Sequence, residues 1–377
     1  MTRERFDIIV AGCGPAGASC AGRAAELGLS VLVLEMTVFP RSKPCAAGLT
    51  QGALKLLGAD AELVAHDTAS RLRIDAGRTC LLWTGESPLV RTTTRRELDS
   101  LLARRAAEAG ATVEFGVRLN SARLADDGVT VEAGGRTLSG RYLVGADGPR
   151  SAVARVAGLP DPVLCGAAYV RAYPPSGAEL DRYAGTVTFD PTAAERGYGW
   201  VFPKRDHLNV GVFSQLPFGK RLLRDLYAYV ASLGLDEWNR RGPFAAPIPL
   251  GARREPSRGR FILAGDAAGL ADPLTGEGIS HAMASGRAAA EAVAQSLAER
   301  SEASPLYNAR VRSEIVRELR ARSRVGNALY SLGPRGIARA AGLPPARFVI
   351  RRLGLWDRPG NGGGSLIVES AQGRCHQ

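Results

Sequence analysis

Lysine and long apolar runs are scarce in this chain of 377 residues. Only four of its 49 basic residues are lysines, so arginine supplies the excess behind the net charge of +12. No run of about eighteen apolar residues occurs, which argues against a spanning helix, and the first residues lead into a strand pattern without a signal peptide. We therefore expect a cytoplasmic globular protein, and 45% hydrophobic content is enough for two packed domains.

The cysteines show neither metal-ligand spacing nor a regular disulfide framework. They are Cys13, Cys20, Cys45, Cys80, Cys165 and Cys375. This spacing predicts reduced thiols and no metal site. No recognised nucleic-acid-binding module accompanies the positive charge, so we expect no nucleic-acid partner.

A glycine-rich turn follows the first apolar stretch, with Gly12, Gly14, Ala16 and Gly17 in it. Gly12 permits the tight turn, Gly14 lets the backbone approach a phosphate, and Gly17 allows close packing of helix on strand. The amino terminus of the following helix favours a pyrophosphate. Glu35 ends the second apolar stretch, about twenty residues further on, where an acid binds a ribose. The glycine-rich turn and Glu35 together predict a binding site for FAD or NAD. An acid at the position of Glu35 argues against NADP.

Two more apolar stretches end in an acidic residue. Phe261–Leu263 leads into Gly265 and Asp266, and a single carboxylate there suits a ribityl hydroxyl. A second such stretch ends in an Asp-Gly turn at Asp147, which either contributes to the cofactor site or only holds its own turn. A nicotinamide-only dehydrogenase needs neither segment, so the pair selects FAD.

A third segment, with Gly276 and Gly278, opens an alanine-rich helix that we expect to run to about Glu299. Its free amides and helix dipole favour the anionic reduced flavin. Arg95, before another predicted helix, either completes the phosphate contacts or is a solvated helix-start residue.

At this point the chain resembles the flavoproteins built like para-hydroxybenzoate hydroxylase, over about residues 5–300. These include aromatic monooxygenases, flavin halogenases and geranylgeranyl reductases. The segments 39–50 and 197–204 are most similar to the geranylgeranyl reductase branch, which reduces isolated C=C bonds in polyprenyl chains. Its loop usually has Lys-x-Cys-Gly, so Ala46 and Ala47 are departures from the pattern, and each methyl restricts torsions that glycine allows.

The resemblance implies an α/β fold in which a Rossmann-like FAD-binding domain is interleaved with a mostly antiparallel β-sheet substrate domain, followed by a C-terminal helical segment. We expect the FAD-binding domain at 1–68, 93–158 and 258–300, the substrate domain at 69–92 and 159–257, and a helical cap with a flexible glycine-rich tail at 301–377.

Cys45 is the candidate catalytic residue, because the resemblance places its loop beside the flavin. Its thiol either donates a proton to the alkene carbon opposite the hydride or only shapes the pocket. Lys43 either holds a diphosphate or a flavin edge, or is an exposed loop lysine.

Tyr198, Trp200 and Phe202 are the candidate substrate residues. In an extended strand they point to one face, and after a turn at 204–206 the alternating residues Leu208 to Val212 return beside them as a hairpin. The resulting aromatic wall suits a prenyl tail, although sheet cores also use aromatics.

We therefore predict an FAD-dependent reductase of a polyprenyl, geranylgeranyl-type substrate, a hydrophobic small molecule. The alternative is a flavin monooxygenase or halogenase, although halogenases carry Gly-Glu-Ser where this loop has Lys43-Pro44-Cys45. The electron donor stays open, with NAD(P)H among the candidates.

Arginines recur along a predicted helix at 310–324. This basic face either makes a peripheral contact with anionic lipid, receives a diphosphate, or is only a solvated helix face.

Overall fold

The computed structural model describes residues 5–77, 79–341 and 365–370. The strands are β1 (Arg5–Ala11), β2 (Val31–Glu35), β3 (Gly48–Leu49), β4 (Asp67–Ala69), β5 (Arg71–Ala76), β6 (Thr79–Thr84), β7 (Val90–Thr92), β8 (Thr112–Phe115), β9 (Leu119–Ala125), β10 (Gly128–Ala133), β11 (Arg136–Gly145), β12 (Val163–Tyr173), β13 (Thr186–Asp190), β14 (Gly197–Pro203), β15 (Leu208–Ser214), β16 (Asn239–Leu250), β17 (Ser257–Arg258), β18 (Phe261–Leu263) and β19 (Ser365–Ser370).

The helices are α1 (Pro15–Glu26), α2 (Gln51–Leu57), α3 (Asp60–Leu63), α4 (Arg95–Glu108), α5 (Ala152–Val156), α6 (Gly177–Asp181), α7 (Lys220–Ser232), α8 (Ile279–Glu299), α9 (Ala303–Val311), α10 (Arg317–Ser331) and α11 (Gly333–Ala341). A 3-10 turn covers Gly265–Ala268, and a π-helical turn at Arg312–Val316 joins α9 to α10. The alanine-rich helix α8 ends at Glu299, as the sequence predicts.

The first sheet has the order β17-β18-β11-β1-β2-β8, and β10 pairs antiparallel with β11 while β9 pairs antiparallel with β10. Its central strands β18, β11, β1, β2 and β8 run parallel. All five residues of β2 are buried, as expected for a parallel strand in a sheet covered on both faces. The carboxyl ends of β1, β2, β11 and β18 lie at one edge, and loops at such an edge are where α/β sheets bind ligands.

The second sheet has the order β16-β12-β15-β14-β13-β5-β6-β19 and is mostly antiparallel, with β13 and β5 parallel. One face packs against α7 through Val201, Val210 and Leu226. The other face carries the aromatic cluster of Tyr169, Trp200, Phe202 and Phe213. The α/β fold with two interleaved sheets is therefore as expected.

The β14–β15 hairpin forms as predicted, but the returning residues on its aromatic face differ from the expected ones. Trp200 is paired with Gly211, Phe202 with Asn209 and Tyr198 with Phe213. Residues directly opposite each other share a face. Leu208, Val210 and Val212 therefore lie on the α7 side of the sheet.

The C-terminal region is helical from Ala303 to Ala341, and the strand β19 then pairs antiparallel with β6. The sequence did not predict this strand. The glycine-rich stretch at 360–364 lies outside the described residues, and the domain boundaries stay predictions. Among the described residues, no helix is both long enough and apolar enough to cross a membrane.

Candidate active site

A cavity of about 1330 Å³ is lined by residues of both large sheets and of the C-terminal helices. Most of the site residues predicted from the sequence line it: Gly12, Gly14, Ala16, Glu35, Cys45, Arg95, Asp147, Tyr198, Trp200, Phe202, Asp266, Gly276 and Gly278. The structure thus brings four predicted features to one cavity. They are the glycine-rich turn after β1, the acidic residues at the strand ends, the loop that carries Cys45 (the cysteine loop) and the aromatic strand β14.

The two remaining predicted residues, Gly17 and Gly265, serve packing. A Cβ on Gly17 would lie 1.9 Å from the carbonyl oxygen of Gly12, so a side chain there would break the turn. Gly265 has a φ of 60°, and a Cβ on it would lie 3.0 Å from the Ala16 side chain. Both glycines therefore allow close backbone approach behind the cavity.

The amino terminus of α1 forms an anion-binding corner. No side chain caps this helix, and its first turn contains no acidic residue. The nearest atoms to a Cβ on Gly14 would be an Nη2 of Arg95 at 3.6 Å and of Arg41 at 3.7 Å. Free amides, the helix dipole and two guanidinium groups favour a pyrophosphate at this point. The sequence reasoning missed Arg41, which lies in the irregular loop after β2.

Asp99 orients both guanidinium groups. Arg95 donates from Nε and Nη2 to the two Asp99 oxygens at 2.7 and 2.8 Å, and Arg41 Nη2 lies 3.0 Å from Asp99 Oδ2. Burial alone would lower the pKa of Arg95, but the Asp99 carboxylate raises it overall. Arg95 is thus a buried, permanently charged group.

Glu35 is a fixed carboxylate at the tip of β2. Its Oε2 accepts from the Cys13 amide at 2.8 Å, and its Oε1 accepts from the amide and hydroxyl of Thr37 at 2.9 and 2.6 Å. Burial, with a further contribution from Glu35, raises the pKa of Cys13 to about 12. The Cys13 thiol therefore stays protonated beside this carboxylate.

Asp147 and Asp266 hold different partners. Asp147 Oδ2 accepts from the amides of Ala152 and Val153, so the residue does hold its own turn, while Oδ1 is buried without a partner among the described residues. Lys43 Nζ lies 3.1 Å from Asp266 Oδ2 and joins the cysteine loop to the 3-10 turn. Asp147 Oδ1 is a buried acceptor without a donor, which indicates that a ligand or water completes the site.

The turn before α8 is held through three consecutive carbonyls. Gln215 donates to Pro273 O at 2.7 Å, Tyr330 to Leu274 O at 2.6 Å, and Tyr198 to Thr275 O. Gly278, which precedes α8, has no side chain to cap the helix, but Glu277 Oε1 accepts from the Ser280 amide at 2.8 Å, so a carboxylate partly caps the first turn where it borders the cavity.

One arm of the cavity, the aromatic arm, is lined by aromatic rings. Tyr198 and Phe189 lie with ring centroids 5.3 Å apart, Phe189 and Phe202 5.5 Å, and Tyr198 and Phe213 5.5 Å. Tyr169 and Ile248, which the sequence reasoning missed, also line this arm. These rings form a largely apolar wall.

The loop with Cys45 lies where the two parts meet. Cys45 packs against the core of the first sheet, and Ala46 packs against the aromatic cluster of the second. Cys45 Sγ accepts a hydrogen bond from the Ala47 amide at 3.3 Å. The thiol proton is therefore not used in this contact.

The donor set fits FAD. The arginine corner suits the pyrophosphate, the Glu35 tip suits the adenosine ribose, and the unpartnered Asp147 oxygen and the start of α8 lie along the same cavity.

Comparison with known proteins agrees with this assignment. Residues 5–166 match the model of an FAD binding domain. The chain is 33% identical to a menaquinone reductase of Mycobacterium tuberculosis, covering 76% of each chain. It is 32% identical to digeranylgeranylglycerophospholipid reductase 1 of Methanopyrus kandleri, covering 78% of this chain and 82% of that one. It is also 32% identical to a geranylgeranyl diphosphate reductase of Rhodobacter capsulatus, covering 76% and 75%.

The fold is shared with solved flavoproteins. A geranylgeranyl bacteriochlorophyll reductase-like protein of Thermoplasma acidophilum superposes with a TM-score of 0.80 at 23% identity, covering 89% of this chain and 90% of that one. A flavin-dependent brominase superposes with a TM-score of 0.75 at 20% identity over 93% of each chain. At these identities the likeness concerns the fold alone. The sequence relatives at 32% identity show that this chain belongs to the geranylgeranyl reductase family of FAD-dependent oxidoreductases.

Proposed function

We propose that this protein saturates C=C bonds in the prenyl chain of a hydrophobic, geranylgeranyl-type substrate. The observation that carries the proposal is the single cavity in which the FAD-fitting segments and the aromatic arm meet at the Cys45 loop. The reductases named above also act on molecules with isoprenoid chains, according to their names. Their head groups differ, so the proposal concerns the prenyl chain.

Reduced FAD, when bound, supplies a hydride to one alkene carbon. The chain's own residues do the rest. Phe189, Phe202 and Phe213 exclude water and align the flat alkene over the cofactor side of the cavity. Cys45 holds a proton at Sγ, at the junction of the two arms, for the other alkene carbon. The hydride and the proton together add two hydrogen atoms across the bond.

Mass spectrometry of a single anaerobic turnover tests the reaction type. The FAD-loaded protein is reduced with dithionite and mixed with a geranylgeranyl lipid, and a product heavier by two hydrogen atoms is expected. A parallel run in air tests the oxygen-using alternative. A product that gains an oxygen or a halogen, with no hydrogenated product in either run, would contradict the proposal.

Replacement of Cys45 tests its role as the acid. Cys45→Ala is expected to keep the FAD complex and its reduction, but to slow alkene reduction about 100- to 10,000-fold, the usual contribution of a positioned acid. Cys45→Ser should rescue little, because a hydroxyl is a much weaker acid than a thiol. A pocket-shaping role predicts a small loss for alanine and near-normal activity for serine, so reoxidation of Cys45→Ala within a few-fold of wild type would refute the assignment.

We also propose that the protein meets its lipid substrate as a peripheral membrane protein. Support comes from α10, where Arg317, Arg320 and Arg324 are exposed. Two apolar residues are also exposed, Val325 next to Arg324 and Leu332 directly after α10. Arginines with adjacent apolar side chains favour an anionic lipid surface.

A further inference from the structure

The loop that carries Cys45 is held from the β14–β15 hairpin by two side chains. Lys204, one residue after β14, donates from Nζ to the carbonyl oxygens of Ala46 at 2.8 Å and Ala47 at 3.3 Å. Asn209, in β15, donates from Nδ2 to the carbonyl oxygen of Cys45 at 3.2 Å. The carbonyls of Cys45, Ala46 and Ala47 thus all receive hydrogen bonds from the β14–β15 hairpin.

Asn209 is itself fixed from the aromatic strand. Trp200 Nε1 donates to Asn209 Oδ1 at 2.8 Å, so the amide orientation that donates to Cys45 O is determined by the indole. Trp200 is one of the residues that line the aromatic arm of the cavity. Two successive hydrogen bonds, from Trp200 to Asn209 and from Asn209 to Cys45 O, therefore connect the aromatic arm to the backbone of Cys45.

The contacts lie behind the loop. Cys45, Ala46 and Ala47 line the cavity, whereas Lys204 and Asn209 are not among its described lining residues. Lys204 is only 3% exposed, and its ammonium lies 5.9 Å from the centroid of the Phe202 ring. A side chain in this place does not touch a ligand in the cavity and acts through the loop.

The loop needs external support because of Ala47. This alanine has a φ of 51°, a left-handed conformation that a Cβ disfavours. Its carbonyl accepts from the Thr93 amide at 2.9 Å as well as from Lys204. The carbonyl of Ala46 accepts from Lys204, so loss of the ammonium would leave this group without that partner.

We infer that Lys204 and Asn209 are positioning residues, which hold the carbonyls of the cysteine loop so that Cys45 Sγ stays at the junction of the flavin-fitting and aromatic parts of the cavity. The inference deepens the proposed function and rests on it for the role of Cys45. Lys204 acts through the backbone of the loop, and Asn209 transmits the position of Trp200.

Hydrogen–deuterium exchange on the FAD-loaded protein tests the inference without substrate. In Lys204→Met, the amides of segment 43–49 should exchange about tenfold faster or more, because the two hydrogen bonds from Lys204 to the loop are gone. Asn209→Asp should also speed exchange there, since it keeps an acceptor for Trp200 but replaces the donor to Cys45 O. The matched control is Arg205→Met, which removes a charge from the same turn at a 62% exposed side chain.

The exchange of β1 serves as the internal reference. Faster exchange confined to segment 43–49 in the two variants, with the control unchanged, is the expected result. Unchanged exchange of that segment in a folded Lys204→Met protein would overturn the inference, and so would an equal increase in β1, because that indicates general destabilisation. Alkene reduction should fall at least about tenfold in both variants, while the Kd for FAD stays within about twofold. Because exchange needs no substrate, the inference can fail while the proposed function stands.

Discussion

At the scale of single residues, a buried ammonium is the least expected group in the site. Burial lowers the pKa of Lys204 to about 7, although the carboxylates of Asp67 and Glu97 oppose this shift. The ordinary lysine value is 10.5. Between these two values the unfolded chain binds more protons than the folded protein, so stability rises with pH in this window.

A pH series with Lys204→Met measures this effect. The free energy of unfolding of wild type minus that of the variant should be flat below about pH 7 and rise above it, by roughly 1.4 kcal/mol per pH unit at most. Urea unfolding of both proteins from about pH 6 to about pH 9 gives the difference. A constant difference across this range would show that Lys204 keeps an ordinary pKa in the folded protein.

Asp266 is expected to bind FAD through its carboxylate. Asp266→Ala should weaken FAD binding by about 1.5–3 kcal/mol, because it removes a charge-assisted hydrogen bond to a ligand hydroxyl. Titration of apoprotein with FAD, followed by flavin fluorescence, gives the Kd. Asp181→Ala is a suitable control, since Asp181 is exposed on α6. Equal affinities for wild type and Asp266→Ala would remove Asp266 from the cofactor site.

Local motifs explain which residues the sequence could indicate. Gly12, Gly14 and Glu35 follow strand ends at a known spacing, so a short window of sequence predicts their chemistry. Lys204 and Ala46 are 158 residues apart, and no local pattern joins them. A usable signal existed, because Lys204 is one of only four lysines in an arginine-rich chain.

At the scale of elements, periodicity predicted the hairpin but not which residues return on its aromatic face. Strand alternation places Tyr198, Trp200 and Phe202 together, while the register of β15 decides what lies opposite. The turn sets that register, and it brings Asn209, Gly211 and Phe213 to the aromatic side. Gly211 is required there, because a Cβ would lie 2.2 Å from the Trp200 ring.

The helix α10 is expected to support the cofactor site, because Tyr330 donates to Leu274 O and Arg322 Nη1 donates to Asp272 at 2.9 Å. Tyr330→Phe should raise the Kd for FAD about three- to tenfold, as expected when a neutral hydrogen bond that holds a binding turn is lost. Flavin fluorescence titration measures this change. Tyr227→Phe on α7, where the ring is 46% exposed, should have no effect. If both variants bind FAD like wild type, α10 does not contribute to the cofactor site.

At the scale of the whole molecule, the strand and glycine-turn pattern predicted the start of the nucleotide-binding unit, and the family resemblance predicted the interleaved second sheet. Segments that are distant in sequence complete the site, since β14, the turn before α8 and α10 meet only after folding. The strand β19 pairs with β6 across almost 290 residues, and its short apolar run carries no information about its partner. Long-range pairing of this kind depends on which sheet edge is open.

The exposed arginines of α10 make membrane contact testable on the intact protein. Reversal of Arg317, Arg320 and Arg324 to Glu should release the protein from anionic vesicles, at about 1 kcal/mol for each charge neutralised near the surface. Sedimentation with vesicles of phosphatidylserine and phosphatidylcholine at low salt measures the bound fraction.

The matched control reverses Arg96, Arg123 and Arg182, which are exposed on other elements, so that both variants carry the same net charge. Release of the α10 variant alone would locate the membrane contact on this helix. Equal release of both variants would mean that net charge, and not this face, attracts the lipid. Absence of wild-type binding at low salt would refute peripheral contact, and the substrate would then have to reach the cavity by another route.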